Sequence, residues 1–303
     1  MELVDINYNE FISKFEEHNC IRTRENTKQE TIVRIGIWND KQVALKTCYR
    51  KREVILYSKI KPHRNIVRLL SIVYQTIPEK EKPRVYVLME ANSGINLGDT
   101  IQYRYYNYLE TLHIMVEIAG GLEHLHSCGI IHHDIKMSNI LAIEDDLNST
   151  NDDESLNDDD ESISYDEQSC LDSSDDDIPD NIVYKICDFG ISEYIDNNGH
   201  GSEKHRNCGT KPYMPPEKTK ECTIALTTKV DIFAMGVLGS KIIDPDLSST
   251  AIDKYKSIMN ICQSTDPDKR STADQLLEQL LLLQVQAQQK ILEQKMLKLQ
   301  YKY

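Results

Sequence analysis

The 303-residue chain has no long apolar run. Leu280 to Leu283, the longest near its end, is bounded by glutamines, far short of the ~18 residues a membrane span needs. The opening Met1-Glu2-Leu3-Val4-Asp5 lacks the basic and apolar regions of a signal peptide. The eight cysteines include no C-x-x-C pair and no metal-ligand spacing. These absences set the expectation of a cytoplasmic or nuclear chain with reduced thiols. There is no basic stripe, so no nucleic-acid footprint is expected. Cations are missing altogether from residues 145–181, whose first 36 positions hold sixteen Asp and Glu. Outside that tract 35 basic residues face 33 acidic ones, so the net charge of -14 belongs to one segment.

What is present concentrates in Ile130-Ile131-His132-His133-Asp134-Ile135-Lys136-Met137-Ser138-Asn139-Ile140-Leu141. Between two apolar pairs it places an acid, a cation and an amide within six residues. Phosphoryl transfer needs that set on one loop. A carboxylate serves the attacking hydroxyl, a cation the moving phosphoryl group, and an amide oxygen a metal ion. The stretch resembles the catalytic loop of protein kinases, with His133 where that family usually has Arg.

Further segments carry the same resemblance in order. Val43-Ala44-Leu45-Lys46 is similar to the strand whose lysine holds the ATP phosphates. Glu53 is the only acid between Asp40 and Glu79, and so the candidate partner of Lys46. Val87-Leu88-Met89-Glu90 looks like the strand into the hinge. Cys187-Asp188-Phe189-Gly190 resembles the D-F-G motif, and Cys208 to Glu217 the end of the activation segment. Asp231 in Lys229 to Val237 would hold the catalytic-loop backbone. Arg270, in Cys262 to Arg270, would pair with Glu217.

The resemblance, from about residue 30 to 283, implies ATP and Mg²⁺ as cofactors. Asp134 would be the catalytic base and Lys136 the cation at the phosphoryl group. Lys46, braced by Glu53, would position ATP. Val33, Ala44 and Leu141 would sandwich the adenine. Met89 would be the gatekeeper, with backbone groups of Glu90 and Asn92 facing the base. Asn139 and Asp188 would hold the metal. Lys136 and the Gly209-Thr210 pair resemble serine/threonine kinases, which implies protein substrates bearing Ser or Thr. A catalytically weak or inactive pseudokinase serving as a binding module is the alternative.

Local patterns fit an α+β chain. Residues 31–46 read as a hairpin turning at Asn39-Asp40, 52–60 as a short helix, and 66–75 and 84–90 as strands. Apolar residues at spacings of three and four mark a helix over 107–127. The expected architecture is bilobal: a small antiparallel sheet with one helix, then a larger, mostly helical lobe. The expected boundaries are an N-terminal extension (1–24), a small lobe (25–91), a large lobe (92–283) and a helical tail (284–303). Residues 145–181 are too polar to offset their ordering entropy and read as a disordered acidic insertion at a loop tip. Added length there costs only about 0.6 kcal/mol per doubling. Six of its serines, such as Ser149 and Ser173, have an acid three residues on, as acidophilic kinase sites do.

Three departures from the family pattern stand out. The glycine positions of the nucleotide loop fall on Asn26, Lys28 and Thr31. Lys46 and Glu53 are only seven residues apart, where the family usually has more than a dozen. His133 replaces the Arg that reads an activation-segment phosphate. An imidazole with a pKa near ~6.5 is mostly neutral at pH 7, so phosphorylation, for example on Ser202, is not expected to act as the usual switch.

Overall fold

A computed structural model describes residues 5–23, 31–48, 51–78, 83–91, 95–103, 106–144, 182–245 and 247–300. Asn26, Lys28, Asn92 and the acidic insertion lie outside the described residues.

The N-terminal half forms a six-stranded sheet. Its strands are β1 (Asp5–Asn7), β2 (Glu16–Thr23), β3 (Thr31–Trp38), β4 (Lys41–Cys48), β5 (Leu69–Gln75) and β6 (Arg84–Glu90). They lie in the order β1-β5-β6-β4-β3-β2. The β3–β4 hairpin turns at Asn39 and Asp40, both at positive φ (50° and 59°). A type I′ turn needs that geometry at both positions, and Asn and Asp tolerate it best after glycine.

Residues 5–23 correct the expected boundary. Instead of preceding the small lobe as an extension, they supply two strands of its sheet. One of these, β1, pairs with β5 in parallel, so the sheet is not wholly antiparallel. Between them α1 (Tyr8–Ile12) adds a second small helix. Phe11 and Phe15 cover the outer sheet face, packing with Val43, Leu45, Val73, Tyr86 and Leu88. Gly36 permits this closure, because a Cβ there would lie 2.1 Å from the Glu16 carbonyl oxygen.

The other sheet face points to the cleft. Cross-strand partners share a face, and the register pairs Val33 with Lys46, Ile35 with Ala44 and Ala44 with Met89. α2 (Lys51–Lys59) follows β4 almost at once and packs beside it.

The C-terminal half is mostly helical. α3 (Leu97–Thr100) leads to α4 (Tyr108–Ser127). A capping box starts α4: Asn107 Oδ1 accepts from Glu110 N at 2.9 Å, and Glu110 Oε2 accepts from Asn107 N at 2.9 Å. Leu112, Met115, Ile118, Leu122 and Leu125 on α4 are fully buried. Two short hairpin-like pairs follow. β7 (Ile130–Ile131) pairs with β10 (Glu193–Tyr194), and β8 (Ile140–Glu144) with β9 (Ile182–Ile186). Glu144 stands opposite Ile182, so the last described residue before the acidic tract pairs with the first one after it.

α5 (Lys229–Ile242), α6 (Thr250–Cys262) and α7 (Ala273–Gln300) complete the half. α7 docks through Leu276, Leu280 and Leu283, while Leu292, Met296 and Leu299 beyond them are exposed. Arg270 braces the assembly. Its guanidinium forks onto Glu217 at 2.5 and 2.8 Å, and both residues are at most 2% exposed. Removing one partner leaves a buried, uncompensated charge. Arg270→Leu is therefore expected to cost about 3–5 kcal/mol, read as a lower denaturation midpoint. A midpoint equal to wild type would contradict that role.

Candidate active site

The catalytic-loop candidate is held by one carboxylate. Asp231, in the first turn of α5 and 1% exposed, accepts from His132 N and His133 N, both at 2.8 Å. It also meets His126 Nε2 at 3.0 Å. Beside these bonds His133 sits at φ 71°. That left-handed conformation is costly for a residue with a Cβ. Burial pushes the Asp231 carboxyl up, but the His126 bond and the surrounding imidazoles outweigh it and hold its pKa down at about 2.

The turn so fixed carries Asp134 into a ring of donors. Its Oδ1 accepts from Thr210 N (3.1 Å) and Thr210 Oγ1 (2.8 Å). Its Oδ2 lies 2.7 Å from Lys136 Nζ and 3.1 Å from Asn139 Nδ2. Lys136 also donates to Thr210 Oγ1 at 3.0 Å. Asn139 Nδ2 additionally donates to the Asp134 carbonyl at 2.8 Å, which orients the amide oxygen away from Asp134. Asp134, Lys136 and Asn139, read from one loop, are thus together in space.

Across the cleft, Lys46 Nζ lies 2.6 Å from Glu53 Oε1 and 2.5 Å from Asp188 Oδ1. The seven-residue spacing suffices because Glu53 sits in the first turn of α2. Burial pulls the Lys46 ammonium down, yet Asp188 and Glu53 outweigh it, so its pKa stays well above the ordinary range. In return Lys46 holds the Asp188 carboxyl, which burial would raise, at about 2. Asp188 adopts φ 66°, and its Oδ1 also accepts from Gly190 N at 3.2 Å. Phe189 is buried between rings, 5.0 Å from Tyr57 on α2 and 5.2 Å from His132, both edge-on.

Ala44 and Met89 belong to the main core, with Val33 and Leu141 packed partly buried against it. Glu90 N donates to Arg68 O at 3.0 Å, and its carboxylate takes Arg68 N and Lys185 Nζ, both at 2.8 Å. Thr31 opens β3, opposite Thr23.

Sequence reasoning missed the roles of three residues. In the sequence Thr210 stands only as part of the Gly209-Thr210 motif, yet it holds Asp134. Lys218, 1% exposed, donates to His133 O at 3.2 Å. Glu193, 2% exposed, meets His133 Nε2 at 2.9 Å, Ser202 N at 2.8 Å and Arg52 Nη2 at 3.0 Å. The one available signal was an acid placed in an apolar setting, Ile191 to Ile195. Its partners on the α2 side are 141 residues away in sequence.

Comparison with known proteins follows the same line. The model of the family described as protein kinase domain matches residues 19–244. The chain is 25% identical over 189 residues to the serine/threonine-protein kinase stk11 of Xenopus laevis, covering 62% of this chain and 34% of that protein. It is 32% identical over 196 residues to a G-type lectin S-receptor-like serine/threonine-protein kinase of Arabidopsis thaliana, covering 63% and 19%. It is 27% identical over 195 residues to the serine/threonine-protein kinase ULK1 of Homo sapiens, covering 64% and 15%. The chain spans about a third or less of the length of these relatives. No helix among the described residues is long and apolar enough to cross a membrane.

The buried Asp231 predicts an acid limb of stability. Its folded-state pKa of about 2 lies below the ordinary 3.8, so the unfolded chain takes up the proton first as pH falls. The contribution is complete above about pH 4, declines toward pH 2, and amounts to about 2 kcal/mol. Urea denaturation across pH 2–6 should show this loss, and Asp231→Asn should flatten it. An unchanged slope in that variant would contradict the assignment.

Proposed function

The chain belongs to the protein kinase domain family, and we propose that it is a serine/threonine kinase that transfers the γ-phosphate of ATP to Ser or Thr hydroxyls of proteins. The observation that carries this reading is the environment of Asp134, whose two oxygens are fixed by Thr210, Lys136 and Asn139. Such a carboxylate is preorganised to orient a substrate hydroxyl and to accept its proton. Lys136, held between Asp134 and Thr210, supplies positive charge where the phosphoryl group passes. The Lys46–Glu53 pair fixes the lysine that would meet the nucleotide phosphates.

The donor set fits Mg²⁺. Asp188 offers a carboxylate kept ionised by Lys46, and Asn139 an amide oxygen turned away from Asp134, and hard oxygen donors suit that ion. When bound, the ion would neutralise charge on the phosphates. Ala44 and Val33 from above and Leu141 from below would enclose the adenine, with Met89 at the back of the slot. The Glu90 carbonyl and Asn92 would complete its edge. The final turns of α7, in this reading, form a tail.

A pseudokinase is the second reading, favoured by Asn26, Lys28 and Thr31 at the glycine positions of the nucleotide loop. Incubation with Mg·ATP labelled at the γ-phosphate and a mixed Ser, Thr and Tyr peptide library separates the two. We expect label on Ser and Thr, with Asp134→Asn lowering the rate at least 10²-fold. No transfer, together with no shift of thermal midpoint on adding ATP, would leave only the pseudokinase.

A further inference from the structure

Glu193 is tied to three separate parts of the molecule. Its Oε1 takes His133 Nε2 of the catalytic loop at 2.9 Å and the Ser202 backbone N–H at 2.8 Å. Its Oε2 takes Arg52 of α2 at 3.0 Å, one residue before Glu53. Arg52 reaches on to His205 Nε2 at 3.1 Å, and the His205 and His133 rings lie 4.7 Å apart. The space is built around the carboxylate, since a Cβ on Gly201 would lie 2.8 Å from Glu193 Oε1.

The charge states are mutually consistent. Burial lowers the pKa of His133, and burial with the His133 neighbour lowers that of His205 to about 4. Both imidazoles are therefore neutral near pH 7. His133 Nε2 faces a carboxylate and so bears the proton, while Nδ1 accepts from Lys218 Nζ at 3.4 Å. Burial pushes the Glu193 carboxyl up, but the His133 bond and the nearby imidazoles lower it on balance, so it is the one anion of the cluster. Arg52 and Lys218 are its cations.

His133, Glu193 and His205 also bring three potential metal-ligand atoms within 4.8 Å of one another. Arg52 and Lys218 already engage the imidazole and carboxylate atoms, and two cations at the rim repel a third. The geometry points instead to an internal tie. We propose that Glu193 is a positioning residue: its carboxylate joins α2, the catalytic loop and the 201–205 segment in the arrangement needed for transfer, so that turnover requires no phosphate on that segment. The position is filled from within. His133 has a fully buried side chain and offers nothing to an incoming phosphate. The proposal rests on the kinase reading, and its test is chosen to separate the two.

The test uses the full chain, treated with a phosphatase and checked by intact mass. Turnover of the treated protein should stay within twofold of the untreated. Glu193→Gln should lower kcat at least tenfold while the Kd for Mg·ATP changes less than threefold, a split that general loosening would not give. Hydrogen exchange reads the tie without turnover. The Ser202 amide and the α2 amides should exchange at least tenfold faster in Glu193→Gln, with α5 amides unchanged. Arg52→Ala, at a side chain 35% exposed, gives the same readout if Glu193→Gln fails to fold. Unchanged exchange in a folded variant overturns the proposal, and so does a wild type that is active only when phosphorylated. A wild type without turnover that still shows the exchange response removes the kinase reading and supports the tie.

Discussion

The Asp231 carboxylate is the constraint from which the site is built. Two consecutive backbone N–H groups, of His132 and His133, end on its two oxygens. Without them His133 would have no compensation for its left-handed backbone. With them, one turn sends three side chains in three directions. His132 goes under Phe189, His133 toward Glu193, and Asp134 into the cleft. The carboxylate is ionised because the imidazoles around it outweigh its burial. A neutral Asn could accept from one N–H but not match both.

The same logic recurs at each junction between elements. Asp188 and Glu53 share Lys46 between the sheet, α2 and the loop after β9. Glu217 holds Arg270 between the segment before α5 and the turn before α7. Glu193 joins α2 to both loops. Glu53, Glu193 and Glu217 are buried, Asp188 is about a third exposed, and each has a cation or several N–H donors, which is the condition under which a buried charge is tolerated. Such contacts are directional, whereas the apolar core of α4, α5, α6 and α7 holds the lobe without choosing one loop geometry. The core supplies stability and the paired charges supply position.

Much of the site was legible in the sequence because its groups are close along the chain or lie in ordered motifs. Asp134, Lys136 and Asn139 share one loop, and Asp231, Glu217 and Arg270 stand in recognisable surroundings. Even the short spacing of Lys46 and Glu53 closes, since a helix started directly after the strand places its first turn beside the lysine. The strand-forming role of residues 5–23 was hidden for a physical reason. β2 is an edge strand of mostly polar residues, so it shows little of the alternation that marks a half-buried strand. The helical spacing of Phe11 and Phe15 was the only trace of what covers the outer sheet face. Glu193 was hidden because its partners come from distant segments, and a single acid carries no periodicity.

We propose that a cleft without the usual glycines still binds nucleotide, through Lys46, Asp188 and Asn139. Calorimetric titration of the wild-type chain with ATP, with and without Mg²⁺, tests this most directly. Saturable one-to-one binding is expected, dependent on Mg²⁺ and weakened at least tenfold in Asp188→Asn. Binding absent at millimolar ATP, or present and indifferent to both Mg²⁺ and Asp188, would contradict it.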